Sequence, residues 1–286
     1  MNKVGFIGVG IMGKSMVRNL MKAGFELHIY ARTKSKVEDV IGEGAQFHES
    51  IKDCVQDCDA VITIVGFPQD VEEVYFDEGN ILDSAKKGAY LIDMTTTSPQ
   101  IAEKIYEEGT KRGFHVMDAP VTGGDTGAKA GTLSILVGGE KEDYEACMPL
   151  FEAMGTNINY QGKAGCGQHC KLANQIMIAG TLSGVCEALT YAKEQGLDPE
   201  VFMKSVATGA AGSKQLDTFG PKILKDDYAP GFFMKHFIKD MKLALIEANR
   251  KGLSLDVLSM VLANYEELEQ EGYGDLGTQA LIKYYE

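Results

Sequence analysis

The sequence predicts an α/β protein of two parts, a doubly wound β-sheet in residues 1–162 and an all-helical domain in residues 163–286, joined by a long helix. Two observations lead to this fold class. Short apolar runs alternate with amphipathic stretches through the first part, which is typical of βαβ units with a parallel sheet covered on both faces. After about residue 162, strand-like runs become rare and helical stretches follow one another.

Predicted strands and helices alternate along the first part of the chain. Runs rich in Val, Ile and Leu predict strands at residues 4–7, 27–30, 60–65, 89–93, 115–118, 133–137 and 157–160. The amphipathic stretches between them predict helices at residues 12–23, 34–42, 70–75, 98–112 and 141–154. One helix carries its own start signal, because Ser98 can cap the N-terminus and Pro99 suits the first helical position.

The second part opens with a long apolar stretch. Residues 165–192 are rich in Ala, Gly and Ser and contain few polar residues. We predict one helix about 42 Å long, at about 1.5 Å per residue, buried on most of its sides. Further helices are predicted at residues 199–208, 213–225, 237–251, 255–271 and 277–285.

Composition excludes several classes of partner. The 286 residues are 44% hydrophobic and carry 28 basic against 41 acidic side chains, a net charge of −13. Nucleic acids and anionic membrane surfaces are bound by clustered Lys and Arg, so we expect neither as a partner. No apolar run approaches the roughly 20 residues that span a bilayer. The glycine-rich N-terminus lacks a signal-peptide cleavage site, so we expect a cytoplasmic protein.

The six cysteines do not predict a disulfide framework or a metal centre. They are sparse for a chain of this length. Two pairs are spaced i, i+4, but neither a Cys-x-x-Cys motif nor a pair of closely spaced histidines accompanies them. We therefore expect no bound metal and assign the cysteines as ordinary thiols, at positions 54, 58, 147, 166, 170 and 186.

A glycine-rich segment follows the first predicted strand and opens a helix. Glycines in this setting let the backbone turn tightly and approach a pyrophosphate, which sits on the unpaired N–H groups of the helix N-terminus. A glycine turn without a ligand can have the same sequence. The strand–turn–helix context favours a Rossmann-type dinucleotide site formed by Gly8, Gly10, Ile11, Met12 and Gly13.

The end of the second predicted strand bears on the choice between NAD(H) and NADP(H). NAD-binding proteins usually place Asp or Glu here, where it binds the ribose 2′-hydroxyl. This sequence has Arg32 and Thr33 instead, with Lys36 one turn later. A guanidinium can bind a 2′-phosphate through two parallel hydrogen bonds, so we favour NADP(H). A solvated basic helix start is the alternative.

Residues 118–124 follow the fifth strand, at the edge of the sheet where open α/β folds bind ligands. Thr122 offers a hydroxyl, and Gly123 and Gly124 offer backbone N–H groups that no side chain covers. We expect this segment to be a loop that suits a carboxylate. An ordinary strand-to-loop turn is the alternative.

The start of the long helix carries a lysine in apolar surroundings. Lys171 and Asn174 are three residues apart and project from one face. A buried lysine is costly unless it has a partner or a task. With a pKa lowered by burial, it can donate a proton to a carbonyl oxygen while hydride reaches the carbon. A lysine whose charged end extends to the surface is the alternative, and His169 should face elsewhere.

A last segment, FFMKHFIKD at residues 232–240, precedes another predicted helix. Lys239 and Asp240 lie at the predicted start of that helix. The lysine can reach a cofactor or a substrate carboxylate. An exposed or salt-bridged pair is the alternative.

These motifs together resemble the β-hydroxyacid dehydrogenase family, which includes 3-hydroxyisobutyrate dehydrogenase and the tartronate semialdehyde and glyoxylate/succinic semialdehyde reductases. The resemblance covers essentially the whole chain through four motifs in a fixed order. They are GFIGVGIMG at 5–13, DAPVTGG at 118–124 with GTLSILVGG at 131–139, GCGQHCKLANQ at 165–175, and KD at 239–240.

The resemblance implies roles for individual residues. The family's catalytic lysine falls on Lys171 and its neighbouring amide on Asn174, and its substrate-binding Ser-Gly-Gly falls on residues 122–124. Cofactor contacts fall on Thr96, Phe232 and Lys239, and Lys239 is also expected at the substrate. Thr122 departs from the usual serine and narrows the pocket by one methyl group. The usual Asn-Asn pair is Asn-Gln here, as in the tartronate semialdehyde reductase branch.

The resemblance implies an NADP(H)-dependent reductase of small aldehyde acids that forms homodimers or homotetramers. Tartronate semialdehyde, glyoxylate and succinic semialdehyde are the expected substrates, and 3-hydroxyisobutyrate dehydrogenase is the alternative activity. A 6-phosphogluconate dehydrogenase typically has a longer helical domain. An imine reductase usually lacks the lysine found at position 171. A nucleotide-binding interaction module without turnover is an alternative of another class.

Overall fold

The computed structural model describes all of residues 1–286. Contacts between residues divide the chain into two compact units, Met1–Lys171 and Leu172–Glu286. The first unit is built on one nine-stranded sheet. Its strands are β1 Lys3–Ile7, β2 Glu26–Tyr30, β3 Gln46–Phe47, β4 Ala60–Thr63, β5 Tyr90–Asp93, β6 His115–Asp118, β7 Val121–Thr122, β8 Leu133–Gly139 and β9 Gly155–Gly162.

The sheet has the order β3-β2-β1-β4-β5-β6-β8-β7, and β9 pairs with β8. All pairs from β3 to β6 are parallel. The expectation of a parallel sheet is wrong at the other edge, because β8 runs antiparallel to β6 and β7. The residues between β6 and β8 form β7 and α7 instead of a crossover to a parallel strand, and β7 becomes the antiparallel partner of β8.

The helices of the first unit are α1 Ile11–Lys22, α2 Glu38–Gly42, α3 Ile51–Val55, α4 Pro68–Phe76, α5 Ile81–Ser84, α6 Pro99–Lys111, α7 Gly124–Ala130, α8 Lys141–Ala146 and α9 Met148–Met154. The helix predicted at 34–42 is a 3₁₀ turn, Lys34–Lys36, followed by α2. The helix predicted at 141–154 breaks at Cys147. Pro149 explains the break, because proline lacks an N–H and fits only the first turn of a helix.

Side chains of successive strand residues enter different cores, as strand geometry requires. Val4 and Phe6 belong to a buried cluster that includes Met16 and Leu20 of α1. Ile7 belongs to a second cluster, which includes Val61 of β4. The prediction that helices cover both faces of the sheet is therefore confirmed.

The rest of the chain is helical, with one long helix that begins in the first unit. Its elements are α10 Cys166–Glu194, α11 Pro199–Ala207, α12 Lys214–Ile223, α13 Met234–Arg250, α14 Asp256–Gln270 and a 3₁₀ helix, Thr278–Tyr285. The sequence predicts the last element as a further helical stretch at residues 277–285, and it is a 3₁₀ helix in the structure. Helix α13 begins three residues earlier than predicted, because Phe233 has the extended conformation of an N-cap and the Met234 N–H donates to the Leu276 carbonyl.

The two units divide inside α10, whereas the sequence places the boundary at 162/163. The first residues of α10 group with the sheet because the Asp118 carboxylate, at the end of β6, accepts backbone hydrogen bonds from their N–H groups. Gly165 donates to it at 2.8 Å and Gln168 at 2.8 Å. Helix α10 therefore begins on the first unit and continues into the second.

By length and composition alone, α10 could cross a membrane. It has 29 residues, and its most apolar 18-residue window has a mean hydropathy of 1.2 and is 44% buried within the protein. The sequence reading found no run of that length. A core helix passes the same test, so this composition is weak evidence for a membrane.

The predicted N-cap of α6 provides a test of local stability. Ser98 Oγ accepts a hydrogen bond from the Gln100 N–H at 3.2 Å and donates to Gln100 Oε1 at 2.7 Å. Replacing an N-cap serine with alanine typically costs about 1 kcal/mol. We expect Ser98→Ala to lower the free energy of unfolding by about this amount in urea titrations, and Ser98→Asp to preserve it. Equal midpoints for Ser98→Ala and wild type would contradict the capping role.

Candidate active site

The glycine-rich turn after β1 has the shape of a phosphate cradle. Gly8 has a φ of +97°, and a Cβ there would run into the Ile64 carbonyl. A Cβ on Gly13 would run into the Gly8 carbonyl. By contrast, no atom of the protein outside its immediate neighbours lies within 4 Å of the position that a Cβ of Gly10 would occupy. The outer glycines permit the turn and the central one leaves room for a ligand, which is the division of roles in a dinucleotide fingerprint.

The N-terminus of α1 is prepared for an anion. Gly10 is its N-cap, no side chain caps the helix, and no acidic residue lies in its first turn. Ile11, the first helical residue, is 55% exposed, and Met12 is half-buried. Free N–H groups and the positive end of the helix dipole favour a phosphate here. The turn therefore fits the pyrophosphate of a dinucleotide.

The three residues after β2 that are predicted to bind a 2′-phosphate all lie at the surface, as that contact requires. Arg32, Thr33 and Lys36 are exposed. The Arg32 side chain is 74% exposed, and its Nη1 lies 3.2 Å from Asp70 Oδ1. Asp70 also accepts the Phe67 N–H at 2.9 Å, at the start of α4. The sequence reading missed this carboxylate, because 38 residues separate it from Arg32.

A buried polar network holds the segment after β5. Asp93 Oδ1 accepts hydrogen bonds from Thr63 Oγ1 at 2.7 Å and from the Thr95 N–H at 3.1 Å. Thr95 Oγ1 in turn accepts the Val65 N–H at 3.0 Å. Burial raises the pKa of the Asp93 carboxyl to about 6, although the hydrogen bonds from Thr95 and Thr63 oppose the shift. The half-buried Thr96 follows directly on this network.

Gln168 joins the same segment to the long helix. Its Oε1 accepts the Thr97 N–H at 3.0 Å, and its Nε2 donates to the Thr95 carbonyl at 2.7 Å. The side chain is fully buried. The sequence analysis does not predict a role for Gln168, although a polar residue one turn before Lys171 in an apolar helix is a pattern that could have indicated one.

The start of α10 lies against the strands without intervening side chains. A Cβ on Gly167 would collide with the carbonyls of Leu136 and Asp118, and one on Gly138 would reach Lys163 O and Gly167 N. Burial raises the pKa of the Asp118 carboxyl, while the N–H groups of Gly165 and Gln168 lower it. These glycines allow the close approach through which Asp118 holds the helix.

Lys171 lies one turn beyond Gln168 and is 7% exposed, so of the two alternatives that the sequence leaves open for this lysine the structure shows the buried one. Asn174 is half-buried, and His169 is exposed, as expected. The Asn174 amide donates to Gln175 Oε1 at 2.8 Å, and Gln175 Nε2 donates to Asp240 Oδ2 at 2.7 Å. The sequence did not predict this chain of hydrogen bonds, which fixes the Asn174 side chain.

Residues 122–124 form a strand end and a helix start rather than the expected loop. Thr122 is the last residue of β7 and pairs with Ser134 of β8. Gly123 is the N-cap of α7 with a φ of +131°, and Gly124 is the first residue of that helix. The short hairpin with β8 explains the difference, because it fixes the backbone up to Thr122. The space beside Gly124 is open for 4 Å.

In the second unit, Phe232 precedes α13 and its ring contacts His236 and Phe237. Lys239 and Asp240 lie in the second turn of α13 rather than at its start, since the helix begins at Met234. Lys239 Nζ lies 2.9 Å from Asp240 Oδ1. Asp240 is fully buried and the Lys239 side chain is 12% exposed. Asp240 thus contacts both Lys239 and the Gln175 amide that holds Asn174.

Within each unit, the structure gathers part of the predicted site. In the first unit, the glycine turn, Arg32 and Thr96 follow parallel strands and share the carboxyl edge of the sheet, and Gln168 ties the Thr96 segment to the turn before Lys171. In the second unit, Asn174 and Lys239 meet through Gln175 and Asp240. All six cysteines are free thiols, and no group of three potential metal ligands occurs.

Comparison with known proteins gives matches along the whole chain. Residues 3–162 match the family model for the NAD binding domain of 6-phosphogluconate dehydrogenase. Residues 165–285 match the model for the NAD-binding region of NADP-dependent 3-hydroxyisobutyrate dehydrogenase. The chain is 50% identical over 280 residues to the oxidoreductase YkwC of Bacillus subtilis, covering 98% of this chain and 97% of that protein.

Two further relatives have names that describe an activity. The 2-hydroxy-3-oxopropionate reductase of Escherichia coli is 35% identical over 281 residues, which cover 98% of this chain and 96% of the reductase. The solved structure of 3-hydroxyisobutyrate dehydrogenase from Mycobacterium tuberculosis with L-serine superposes with a TM-score of 0.90 at 26% identity, covering 99% and 98% of the two chains. With its cradle, its buried lysine and these matches, the chain belongs to the β-hydroxyacid dehydrogenase family of pyridine-nucleotide oxidoreductases.

Proposed function

We propose that the protein reduces small aldehyde acids to hydroxyacids with NADPH, with tartronate semialdehyde, glyoxylate and succinic semialdehyde as the substrate class. The observation that carries the proposal is Lys171, a lysine 7% exposed on the helix that is bonded to the Thr96 segment. A buried ammonium in that position is suited to proton donation. The name of the reductase from E. coli supports tartronate semialdehyde, which is 2-hydroxy-3-oxopropionate.

In the proposed reaction, each group of site residues has a separate role. When bound, the nicotinamide supplies the hydride for the carbonyl carbon. Lys171 Nζ donates its proton to the carbonyl oxygen, so that one aldehyde, one hydride and one proton give one alcohol, and the lysine regains its proton from solvent. Thr122, Gly123 and Gly124 bind the substrate carboxylate, and Asn174, fixed by Gln175, orients the reacting groups.

The preference for NADPH rests on Arg32 and its neighbours. No carboxylate follows β2 in the position that would bind a ribose 2′-hydroxyl, and Arg32 is exposed there. In its ion pair with Asp70 the Arg32 side chain is 74% exposed and the Asp70 side chain 17%, and pairs at the surface contribute about 0–1 kcal/mol. A 2′-phosphate, with more charge and more acceptor oxygens, can therefore displace Asp70.

A second candidate is 3-hydroxyisobutyrate dehydrogenase activity, which the superposition on the mycobacterial enzyme favours. An initial-rate panel separates the two. We expect the highest kcat/KM with NADPH and tartronate semialdehyde, glyoxylate or succinic semialdehyde. The highest kcat/KM with methylmalonate semialdehyde would favour the second candidate instead. A protein that binds NADPH but turns over none of these compounds would be a nucleotide-binding module.

Loss of Lys171 should abolish most turnover without abolishing cofactor binding. A lost general acid lowers kcat by about 10² or more, so we expect this from Lys171→Ala in steady-state assays. Lys171→Arg should fail as well, because a guanidinium with a pKa above about 12 does not release its proton. NADPH binding, followed by fluorescence titration, should change little. Lys163→Ala, at an exposed lysine just before α10, is the matched control; turnover near wild type in Lys171→Ala would refute the assignment.

Loss of Arg32 should affect NADPH and spare NADH. Hydrogen bonds to charged groups contribute about 1.5–3 kcal/mol, so Arg32→Ala should raise the KM for NADPH by about tenfold or more. Asp70→Asn keeps an acceptor for the Phe67 N–H but frees Arg32, and should lower that KM by at most a few-fold. The KM for NADH serves as the internal control. An equal rise in KM for both cofactors would contradict recognition of the 2′-phosphate.

A further inference from the structure

Gln168 is a buried side chain on α10 whose hydrogen bonds all go to a distant segment of the chain. It has no exposed surface, and neither amide atom serves its own helix. The Oε1 atom accepts from Thr97 N and the Nε2 atom donates to Thr95 O. These backbone groups lie between β5 and α6, 71 and 73 residues away along the chain.

The contacts require a neutral group with one acceptor and one donor. Thr97 presents an N–H and Thr95 presents a carbonyl oxygen, so the primary amide matches them in one orientation only. An ionised carboxylate has acceptors but no donor. It would also lie in a region that already contains two buried carboxyl groups, Asp93 and Asp118. Gln168 thus satisfies two backbone groups that water cannot reach.

The side chain and the backbone of Gln168 contact different parts of the site. On one side is the segment of Thr96, which lies between the two backbone groups that the amide binds. On the other side is the first turn of α10, whose N–H at Gln168 is held by Asp118 at 2.8 Å. Lys171 lies three residues later, on the face of the helix that Gln168 occupies.

We propose that Gln168 is a positioning residue of the reductase, which holds the Thr95–Thr97 segment and the Lys171 turn in a fixed relation so that the cofactor-binding threonine and the proton donor stay in register. This rests on the proposed function, in which Thr96 contacts the cofactor and Lys171 donates the proton. A misplacement of about 1 Å can cost about 10²-fold in rate, so such a clamp matters even though Gln168 touches no reacting atom.

The variant Gln168→Glu tests the clamp, because protonation decides whether it can form. A protonated carboxyl can accept from the Thr97 N–H and donate to the Thr95 carbonyl, as the amide does. An ionised carboxylate loses the donor and turns negative charge toward the Thr95 oxygen. The clamp should therefore be intact at low pH and lost as pH rises through the pKa of the new side chain. Burial raises that pKa above the ordinary value of about 4.3.

Other ionisable groups lie near this region on the neighbouring elements, and all are present in both wild type and variant. The measured quantity is therefore the ratio of the variant to wild type, in which the contributions that are the same in both proteins cancel. The groups are Asp93 at the end of β5, Asp118 at the end of β6, Glu103 on α6, and His169, Cys170 and Lys171 on α10.

The experiment follows kcat, the KM for the aldehyde and the dissociation constant of NADPH from about pH 5.5 to about pH 8.5. We expect the kcat ratio of Gln168→Glu to wild type to fall by about tenfold to 10²-fold as pH rises. NADPH should bind more weakly over the same range, while the KM for the aldehyde changes less. Gln168→Ala should be impaired at every pH, and Gln195→Glu, an exposed residue just beyond α10, should give a flat ratio.

Two results would overturn the proposal. One is a flat kcat ratio for Gln168→Glu in a folded protein. The other is a loss of activity that follows a loss of folded protein, measured as melting temperature at each pH, since this would make Gln168 only structural. If wild type reduces none of the aldehyde acids, the proposed function fails. The NADPH dissociation constants still test whether Gln168 holds the Thr95–Thr97 segment, because only Gln168→Glu should weaken NADPH binding as pH rises.

Discussion

The structure of the candidate site depends on one interaction, the Asp118 carboxylate at the end of β6 with the backbone at the start of α10. Its two oxygens accept the N–H groups of Gly165 and Gln168, each at 2.8 Å. Helix N-termini leave such groups unpaired, and a carboxylate there also meets the positive end of the helix dipole. Because Gly138 and Gly167 carry no Cβ, the helix can approach closely enough for both bonds. The first turn of α10 is placed relative to the sheet by this contact.

Polar groups are concentrated at this edge of the sheet at some cost to stability. Asp93 and Asp118 are both buried, lie opposite each other in the β5–β6 register, and both have raised pKa values. Burial of charge is unfavourable, so apolar residues would give a more stable edge. What the polar groups provide is directionality. Hydrogen bonds fix the Thr95–Thr97 segment at specified atoms, and a cofactor site needs such fixed positions more than added stability.

Local patterns in the sequence predicted much of this structure. Apolar runs located the main strands, and Ser98-Pro99 marked the start of α6. The long apolar stretch predicted α10 to within a few residues. The mixed edge of the sheet was missed, because β7 has only two residues and no recognisable period. Gln168 and Asp70 were missed for another reason: their partners lie 71 and 38 residues away, and periodicity carries no information on such contacts.

The composition of α10 reflects two different tasks along one helix. Its polar side chains at positions 168, 171, 174 and 175 recur at intervals of three or four residues and so form one stripe over the first half of the helix. Beyond them, the buried positions are apolar, including Ala179, Leu182 and Leu189 in the core of the second unit. Within the first unit, Gln168 of this stripe binds the Thr96 segment, and within the second unit Gln175 binds Asp240. Along the chain, Lys171 and Asn174 lie between Gln168 and Gln175. Each of the two therefore has a hydrogen-bonded neighbour within its own unit, Gln168 one turn before Lys171 and Gln175 beside Asn174, and this local order suits a pair of reactive side chains.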